Sequence, residues 1–320
     1  MFNTIKLEKG LYNLTGKSFA QALEDADPSD NYKDTSLAKL DAFERQLKRF
    51  DIKVSGANAD FVEKFFTTTE SAVLFPEFVK RSIKQGIDES ILSDIVAVNT
   101  TMEGNSMYGI SISDSTPYDT ATIQGNELPE TKIQEGSTPS SLNKIGRVIS
   151  ASYEVVRRQK LDVFAVALKA VGMKLGNAMT KAAITTLVSG AATTETDDDF
   201  IAYSDLANLY SKFTDFNMTT LIASPTVVSQ ILKLEEMKEC TSKNWKEVIL
   251  PFGTSLLKSS QIDDNTVVGF DKNFALELAT NSDLIIETDK LIDRQLDRIS
   301  VSVKLGFKKI IPDAVKCLII

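Results

Sequence analysis

The chain has 320 residues, of which 42% are hydrophobic and 25% are charged, and its formal net charge is −8 at pH 7. These values are ordinary for a globular protein and allow either one elongated domain or two domains. Histidine is absent, which excludes Ser-His-Asp and Cys-His catalysis and removes imidazole metal ligands. Cys240 and Cys317 lie far apart without a CxxC pair, so we expect two buried thiols rather than a zinc site or a disulfide framework.

The sequence gives no sign of a membrane span or a secretory leader. It contains no run of eighteen apolar residues, and its first ten residues lack the basic-then-apolar layout of a signal peptide. We therefore expect a protein that is made and kept in a cytoplasm.

Residues 1–66 are polar and weakly patterned. A helix is predicted from an apolar stripe made of Leu37, Leu40, Phe43, Leu47 and Phe50, with residues 34–36 available as caps. A segment with so little core should fray alone, so we expect it to lie as an arm on another subunit; packing on its own domain is the alternative. Leu37, Phe43 and Phe50 are therefore candidate inter-subunit residues.

Two short elements precede a long polar excursion. Pro76 at a first helical position and Gly86 beyond the end predict a short amphipathic helix. Residues 91–98 are mostly apolar and predict a strand or the entry to one, and residues 107–113 predict another strand.

Residues 114–143 hold three prolines and two glycines among Ser, Thr, Asn and acidic residues, and they cannot form a core. The next predicted strand covers residues 145–155. Together with residues 107–113 it predicts a two-stranded projection whose tip lies between Ser113 and Ser141. Such a ribbon is marginally stable alone and needs a partner surface. Glu127, Leu128 and Pro129 are candidate inter-subunit residues.

Residues 161–190 predict one long helix. Its apolar stripe recurs mostly every three or four residues and consists of Phe164, Leu168, Val171, Leu175, Ala178, Ala182 and Leu187. Asp162 can cap its start and Gly190 can end it, which gives a rod about 40 Å long. Gly172 and Gly176 each cost about 1 kcal/mol against Ala inside a helix, so we expect close backbone contact there.

The C-terminal half alternates short helices and strands, which predicts an α/β or α+β unit. Helices are predicted over residues 203–213 and 225–237, and strands over 219–223, 267–270, 274–278 and 284–287. The clearest strand is residues 299–307, where apolar residues alternate with Ser, Lys and Gly. We expect the second face of this strand to be wet or to contact a polar partner.

Several short motifs occur in an order typical of one family. They are GNELPE (125–130), Lys144 with Gly146, SYEVVRRQKLD (152–162) before the long helix, ASP (223–225), GFD (269–271) and GFKKIIPDA (306–314). Over about residues 67–320 this order resembles the major capsid proteins of tailed bacteriophages, which have the Hong Kong 97-like fold. The self-crosslinking lysine and asparagine of that family cannot be placed here.

The resemblance implies an α+β fold with a definite domain order. The expected parts are an N-terminal arm (1–66), the first part of a peripheral domain (67–112), an extended β-hairpin loop (113–145), the peripheral strand and long spine helix (146–194), an axial α/β domain (195–288), and returning peripheral strands with the C-terminal segment (289–320).

The resemblance also implies a function. The expected function is a major head protein that self-assembles, as hexamers and pentamers, into an icosahedral shell around phage double-stranded DNA. Scaffolding protein, portal and non-specifically bound DNA are the expected partners, no membrane is involved, and the virion is assembled in the host bacterial cytoplasm. An encapsulin-type nanocompartment or a gene-transfer-agent shell is the alternative. A different class is a soluble α/β enzyme whose lid is residues 114–143.

Positive charge is concentrated around the long helix. Residues 144–194 have a net charge of +6, whereas the rest of the chain has −14. One explanation is salt bridging to acidic surface on the same or a neighbouring subunit, and the other is a face turned towards packaged DNA. Lys169, Lys174 and Lys181 are the candidate lumen-facing or DNA-facing residues.

Other motifs do not amount to a site. Gly16-Lys17-Ser18 lacks the upstream glycine of a phosphate loop. Asp263-Asp264 has no partner acid or base, and residues 197–199 predict a plain acidic loop. We expect no catalytic residue, no cofactor site and no metal site.

Overall fold

A computed structural model describes residues 5–14, 16–196, 198, 200–239, 248–291 and 295–320. The chain divides into two compact units. Unit 1 contains Met1–Glu89, Gly146–Leu175 and Leu284–Ser302, and unit 2 contains Ser90–Ile145, Gly176–Asp283 and Val303–Ile320. Each unit is therefore built from segments that are distant in sequence.

The chain contains both α-helices and β-strands, which confirms the predicted α+β fold class. The α-helices are α1 (Phe19–Ala26), α2 (Ala42–Arg49), α3 (Thr69–Ala72), α4 (Phe75–Asp88), α5 (Leu92–Ile95), α6 (Tyr153–Arg158), α7 (Leu161–Val188), α8 (Tyr203–Ser211) and α9 (Pro225–Ile231). The strands are β1 (Val98–Thr101), β2 (Ser106–Asp114), β3 (Thr131–Ser141), β4 (Asn143–Ser152), β5 (Ala192–Glu195), β6 (Thr220–Ala223), β7 (Val248–Ile249), β8 (Ser255–Lys258), β9 (Thr266–Phe270), β10 (Leu276–Thr280), β11 (Ile285–Leu291), β12 (Leu296–Lys309) and β13 (Val315–Ile319).

The N-terminal segment is part of unit 1 and contains a buried polar network. The guanidinium of Arg45 is fully buried and donates to Asp27 Oδ2 at 2.9 Å, to Ser29 Oγ at 3.0 Å and to the Leu40 carbonyl at 2.7 Å. It also lies over the Tyr32 ring, 4.5 Å from the centroid. A buried charge is tolerated only when it is paired and hydrogen-bonded in this way. This network lies within an interior that the segment also builds from apolar side chains, among them Phe19, Leu23 and Val62.

The expectation that residues 1–66 require another subunit to hold them is therefore wrong for the described part of the segment. Leu37 and Phe43 are buried within the same chain, and Phe50 is half-buried. Arg81 of α4 lies over the Phe43 ring at 4.4 Å and donates to Asp41 at 2.5 Å, which ties the segment to α4. Leu37 and Phe43 are thus almost fully buried in their own chain, and an inter-subunit role for them and for Phe50 stays a prediction.

Helix α2 also begins later than predicted. Its cap is Asp41, which accepts from the Glu44 N–H while Glu44 accepts from the Asp41 N–H. This reciprocal capping box satisfies two backbone donors at once, so residues 34–36 are left in turns.

Helix α7 confirms the predicted long helix, and its ends are satisfied locally. Asp162 lies within the first turn rather than before it, and accepts from the Val163 N–H at 2.8 Å. At the other end Gly190 has φ +67°, the left-handed conformation typical of a helix C-terminus. Lys309 donates to the carbonyls of Leu187 and Ser189, as expected for a cation at a helix C-terminus.

Helices α4 and α7 are in backbone contact within unit 1. A Cβ added at Gly172 would lie 2.1 Å from the Ile83 carbonyl oxygen, and one added at Gly86 would lie 2.0 Å from the Lys169 carbonyl oxygen. Gly86 is therefore inside α4 and does not end it, contrary to the prediction, because close packing on α7 needs glycine there. The predicted contact at Gly172 is confirmed.

The projection is a hairpin of β2 and β3, and its second strand differs from the predicted one. Residues Ser106–Asp114 pair antiparallel with Thr131–Ser141, with a register shift between Tyr108 and Ile110. Strand β4 pairs instead with β12. It ends at Ser152, which caps the short helix α6, so the strand predicted over residues 145–155 is too long. The hairpin tip is residues 114–130, which are the last residue of β2 and the loop to β3.

Unit 2 is built on a six-stranded sheet with the order β5-β13-β9-β6-β8-β7. Helices α8 and α9 contribute to its core, whose buried residues include Leu206, Leu209, Val227, Ile231 and Val267. The predicted alternation of helices and strands is confirmed, although α9 ends at Ile231 rather than near residue 237. Residues 91–98, predicted as a strand or the entry to one, form helix α5 and lead into β1, which begins at Val98.

Strand β12 is buried along one face and at two positions of the other, Ser302 and Gly306. Ile299, Val301, Val303, Leu305 and Phe307 are buried as predicted. Ser302 is also buried, and Leu142 and Met107 cover Gly306. The expected wet second face is wrong at Gly306, because Leu142 and Met107 at the base of the hairpin cover it.

Candidate assembly surfaces

The base of the β2–β3 hairpin is anchored by a lysine in a glycine notch. The aliphatic part of Lys308 lies against Gly109, where an added Cβ would be 2.5 Å from Lys308 Cε. Its Nζ donates to the Thr138 carbonyl at 2.6 Å. Gly136 lies across from Gly109. A Cβ added at Gly136 would lie 3.1 Å from the Gly109 carbonyl oxygen. The two glycines leave room for the Lys308 side chain at this level of the hairpin.

One face of the hairpin is an exposed apolar strip. Tyr108, Ile110 and Ile112 alternate along β2 and are 47%, 52% and 48% exposed. Ile133, opposite Ile112 in the register, is 70% exposed. Paired residues of an antiparallel ladder project to the same side. A contiguous strip of this kind is typical of a binding surface.

The hairpin tip is acidic and exposed. Residues 114–130 contain Asp114, Asp119, Glu127 and Glu130 and no basic residue. The predicted inter-subunit residues Glu127, Leu128 and Pro129 are all exposed, and Leu128 is 81% exposed. These residues are thus free in the subunit, and their role as contacts stays a prediction.

The tip has local structure despite its exposure. Thr131 Oγ1 and Tyr118 Oη both bond to Asp114 Oδ1, at 2.6 and 3.0 Å. The Ser115 N–H donates to the Glu130 carbonyl at 3.0 Å and closes the end of the ladder. The tip is therefore a defined loop on a paired stem.

The three candidate lysines of α7 have different surroundings. Lys169 forms an ion pair with Glu89 of the same subunit, which is the salt-bridge explanation offered by the sequence. Lys174 and Lys181 are exposed, and no acidic side chain of the described residues is within ion-pair distance of either. Lys169 is therefore paired within its own subunit, whereas Lys174 and Lys181 have no acidic partner among the described residues.

A basic and apolar surface lies around helix α6. Its members are exposed and consist of Phe61, Val155, Arg157, Arg158 and Lys160; we call them the α6 patch. Phe61 is bridged to Lys160, and the Val62 N–H donates to the Gln159 carbonyl at 3.0 Å, which holds these segments together. The sequence revealed the charge of this region but not its apolar neighbours, because α6 is too short for a periodic pattern.

The residues that suggested chemistry have varied surroundings. Ser18 of the Gly16-Lys17-Ser18 motif caps α1 in a capping box with Gln21, a signal in the sequence that would have predicted α1. Cys317 is buried, and burial raises the pKa of its thiol to about 11. Cys240, Asp197 and Asp199 lie outside the described residues. Asp263 and Asp264 are exposed.

Within the described residues, no cluster of three His, Cys, Asp or Glu side chains could hold a metal ion. Among the described helices, none combines the length and the apolar character that a membrane crossing requires.

A family model described as "Phage capsid protein" matches residues 134–308. No curated protein sequence matches the chain.

Solved structures of shell-forming proteins share the fold. A virus-like particle from Pyrococcus furiosus matches with a TM-score of 0.55 and 16% identity, over 76% of this chain and 98% of that one. The capsid of a native GTA particle matches with a TM-score of 0.55 and 13% identity, over 74% of this chain and 90% of that one. Microbacterium phage Oxtober96 matches with a TM-score of 0.52 and 11% identity, over 72% of this chain and 90% of that one.

Proposed function

This chain belongs to the phage capsid protein family, whose model matches residues 134–308, and from that premise we propose that it forms the icosahedral head of a bacteriophage around double-stranded DNA. It is a major capsid protein with the Hong Kong 97-like fold, and its function is structural. The family match carries this conclusion.

The proposal extends to partners. Scaffolding protein and portal are proposed as assembly partners, and the host bacterial cytoplasm as the place of assembly. The net charge of −8 is compatible with these partners. A subunit that assembles first around a scaffold does not need positive charge to condense DNA. We also propose the domain boundaries that the resemblance implies.

The hairpin is proposed as the element that joins subunits. Its apolar strip and its tip are exposed in the isolated chain, and burying apolar surface contributes about 25 cal/mol per Å². Many such contacts in a closed shell reinforce one another through multivalency.

A shortened hairpin tests this role. Replacing residues 116–129 by Asn-Gly keeps the ladder closure at Ser115 and Glu130 and supplies a turn that suits two paired strands. We expect a folded subunit, with an unchanged circular dichroism spectrum, that forms no shells in electron micrographs. The matched control changes Thr116, Thr120 and Thr122 to Ser and keeps the length and every charge. Shells of normal size from the shortened variant would refute the role of the hairpin.

Lys174 and Lys181 are proposed to face the packaged DNA. Their exposure and their lack of an acidic partner among the described residues support this. We expect Lys174→Gln with Lys181→Gln to lower the nuclease-protected DNA per particle. Lys39→Gln with Lys48→Gln, two exposed lysines of the N-terminal segment, is the control with the same loss of charge. Equal DNA content in both double variants would contradict the proposal.

The contents of purified particles distinguish the alternative shells. Phage-genome DNA supports the head protein, short host DNA fragments indicate a gene-transfer agent, and a protein cargo indicates an encapsulin-type compartment.

A further inference from the structure

We infer that a cleft beside strand β5 in unit 2 binds a phosphate dianion, as inorganic phosphate or as the phosphate monoester of a nucleotide. The cleft has a volume of about 320 Å³ and is lined by Ala192, Thr193, Thr194, Lys212 and Lys316. All five residues belong to unit 2 of one chain. Such a site goes beyond the proposed shell function and is independent of it, because that function concerns contacts between copies.

Strands β5 and β13 bring Lys316 and Thr194 to the same face of the six-stranded sheet. The two strands are parallel, with Lys316 opposite Ala192 and Leu318 opposite Thr194. Because side chains alternate along a strand and paired residues project to one side, these four side chains share a face. Helix α8 covers part of that face, where Leu318 belongs to the same core as the buried residues of α8. Lys212 is the C-cap of α8 and lies at the cleft, so the fold brings two lysines and a threonine together.

The outer edge of β5 adds a backbone donor. This strand is the last of its sheet, and no strand within the described residues pairs with its outer edge. The Thr196 N–H donates to the Ile319 carbonyl of β13 at 2.9 Å. Because every second residue of a strand bonds to the same neighbour in a parallel ladder, residues 194 and 196 bond to β13 and the backbone groups of Thr193 point outwards. The Thr193 N–H is therefore a donor at the rim of the cleft.

Lys316 is a mostly buried cation with a weak partner. Its side chain is 17% exposed, and its ion pair is with Asp313 at 3.5 Å, on a side chain that is 83% exposed. Water screens a pair of this kind, so the exposed carboxylate stabilises the ammonium group little. A mostly buried ammonium group favours a closer counter-charge, and the cleft beside it leaves room for one.

The other polar groups of the cleft are also available to a ligand. Lys212 is exposed, and its side chain forms no ion pair or hydrogen bond with the described residues. The Thr194 hydroxyl likewise has no hydrogen-bond partner among them. The neighbouring carboxylate of Glu195 projects to the opposite face of the strand, because side chains alternate. The cleft therefore offers donors without a carboxylate of β5 among them.

This set of donors indicates the class of ligand. Ammonium, hydroxyl and backbone N–H groups are the donors that bind phosphate oxygens in proteins. Two ammonium groups attract the double charge of a phosphate dianion more strongly than the single charge of a carboxylate or a phosphodiester. A phosphate dianion is thus the ligand that uses both lysines, the hydroxyl and the edge of β5 together.

Titration of the purified full-length chain with inorganic phosphate tests the site. The ionic strength is held constant with chloride, calorimetry measures binding, and the melting temperature measures stabilisation, since a ligand of the folded state raises stability by mass action. We expect saturable binding and a rise in melting temperature that chloride does not produce. The same titration with adenosine 5′-monophosphate distinguishes the two sources of the dianion. Equal or tighter binding indicates a nucleotide ligand, and weaker binding indicates inorganic phosphate.

Variants connect the binding to the cleft. Lys212→Gln with Lys316→Gln should weaken phosphate binding about tenfold or more, because charge-assisted hydrogen bonds are lost. Thr194→Val removes only the hydroxyl and should weaken binding about fivefold. Lys233→Gln with Lys258→Gln, two exposed lysines of unit 2, is the control with the same loss of charge and should bind as the unaltered chain does. Circular dichroism verifies folding, and Lys212→Gln alone replaces the double variant if that variant does not fold.

Four results would overturn the site and leave the shell function standing. The first is the absence of saturable phosphate binding, and the second is equal binding by the unaltered chain and a folded variant that lacks Lys212. The third is a loss of binding in the control variant as large as in the cleft variant. The fourth is displacement of phosphate by a DNA duplex without terminal phosphates, at equal phosphate concentration, which would assign the lysines to the phosphodiesters of nucleic acid.

Discussion

The packing of α4 on α7 leads to a prediction about the stability of Gly172→Ala. The sign of the change shows whether helix propensity or steric overlap is larger. Replacing Gly172 by Ala improves intrinsic helix propensity by about 1 kcal/mol. The added Cβ would, however, lie 2.1 Å from the Ile83 carbonyl oxygen and 3.1 Å from the Gly86 Cα, whereas ordinary contacts begin at 3.4 Å. These atoms belong to the backbone of α4, so no side chain can rotate away to make room.

The magnitude follows from how far the helices must separate. Restoring ordinary contact distance requires α4 to withdraw from α7 by more than about 1 Å at this point, and a gap of about 0.5–1 Å already forfeits a quarter to a half of the dispersion attraction of the atoms involved. Overpacking typically costs about 1–3 kcal/mol. We expect Gly172→Leu to lower the free energy of unfolding by about 1–3 kcal/mol, and Gly172→Ala to lower it despite the better propensity.

Urea unfolding of the unassembled subunit, followed by circular dichroism, measures the effect. Ala170→Leu is the matched control, because residue 170 is exposed on the same helix and such surface substitutions usually change stability by less than about 0.5 kcal/mol. A Gly172→Ala subunit that is more stable than the unaltered one would show that propensity outweighs packing and would refute the close contact.

Two further predictions concern buried ionisable groups. Arg45→Met should destabilise the subunit by about 3–5 kcal/mol, since it leaves the Asp27 carboxylate buried without its partner; Lys48→Met on the exposed side of the same helix is the control, and equal urea midpoints would contradict the polar core. The raised pKa of the Cys317 thiol, about 11, means that the unfolded chain loses this proton near pH 9 while the folded chain retains it. The free energy of unfolding should therefore fall from pH 9 to 11 more steeply than in Cys317→Ala, and parallel pH profiles would count against the buried thiol.

The sequence predicted the elements whose pattern is periodic and self-contained. Helix α7 has an apolar stripe over seven turns, and β12 alternates over nine residues, so each could be recognised without knowing its neighbours. Gly172 could be assigned to a close contact because glycine inside a long helix is costly. Its partner Gly86 was wrongly predicted to end a helix, since glycine is typical both of a helix C-terminus and of a close contact between helices.

The sequence could not predict elements that depend on tertiary partners. The N-terminal segment was expected to fray because it is polar and weakly patterned. Its interior combines the ion pair of Arg45 and Asp27 with buried apolar side chains that come from separate short elements. Strand β3 contains Gly136 and Pro139 and has little strand propensity of its own. It is held by pairing with β2 and by Lys308, which is 170 residues from Thr138 in sequence.

The candidate surfaces also have some features that the sequence predicts and others that depend on tertiary contacts. Charge counting over residues 144–194 identified the basic region, and the exposed residues of the tip could be read from its composition. Which lysine is paired depends on contacts between distant segments, as Glu89 and Lys169 show. The apolar side chains of the α6 patch come from two separate segments, and no local pattern connects Phe61 to Val155.

The most direct test of the central claim is the state of association of the purified full-length chain. Sedimentation velocity over a range of concentrations, with electron micrographs of the same fractions, measures it. A shell subunit is expected to sediment as ring-sized oligomers or closed particles of uniform diameter. A 35.2 kDa monomer at every concentration would contradict the account.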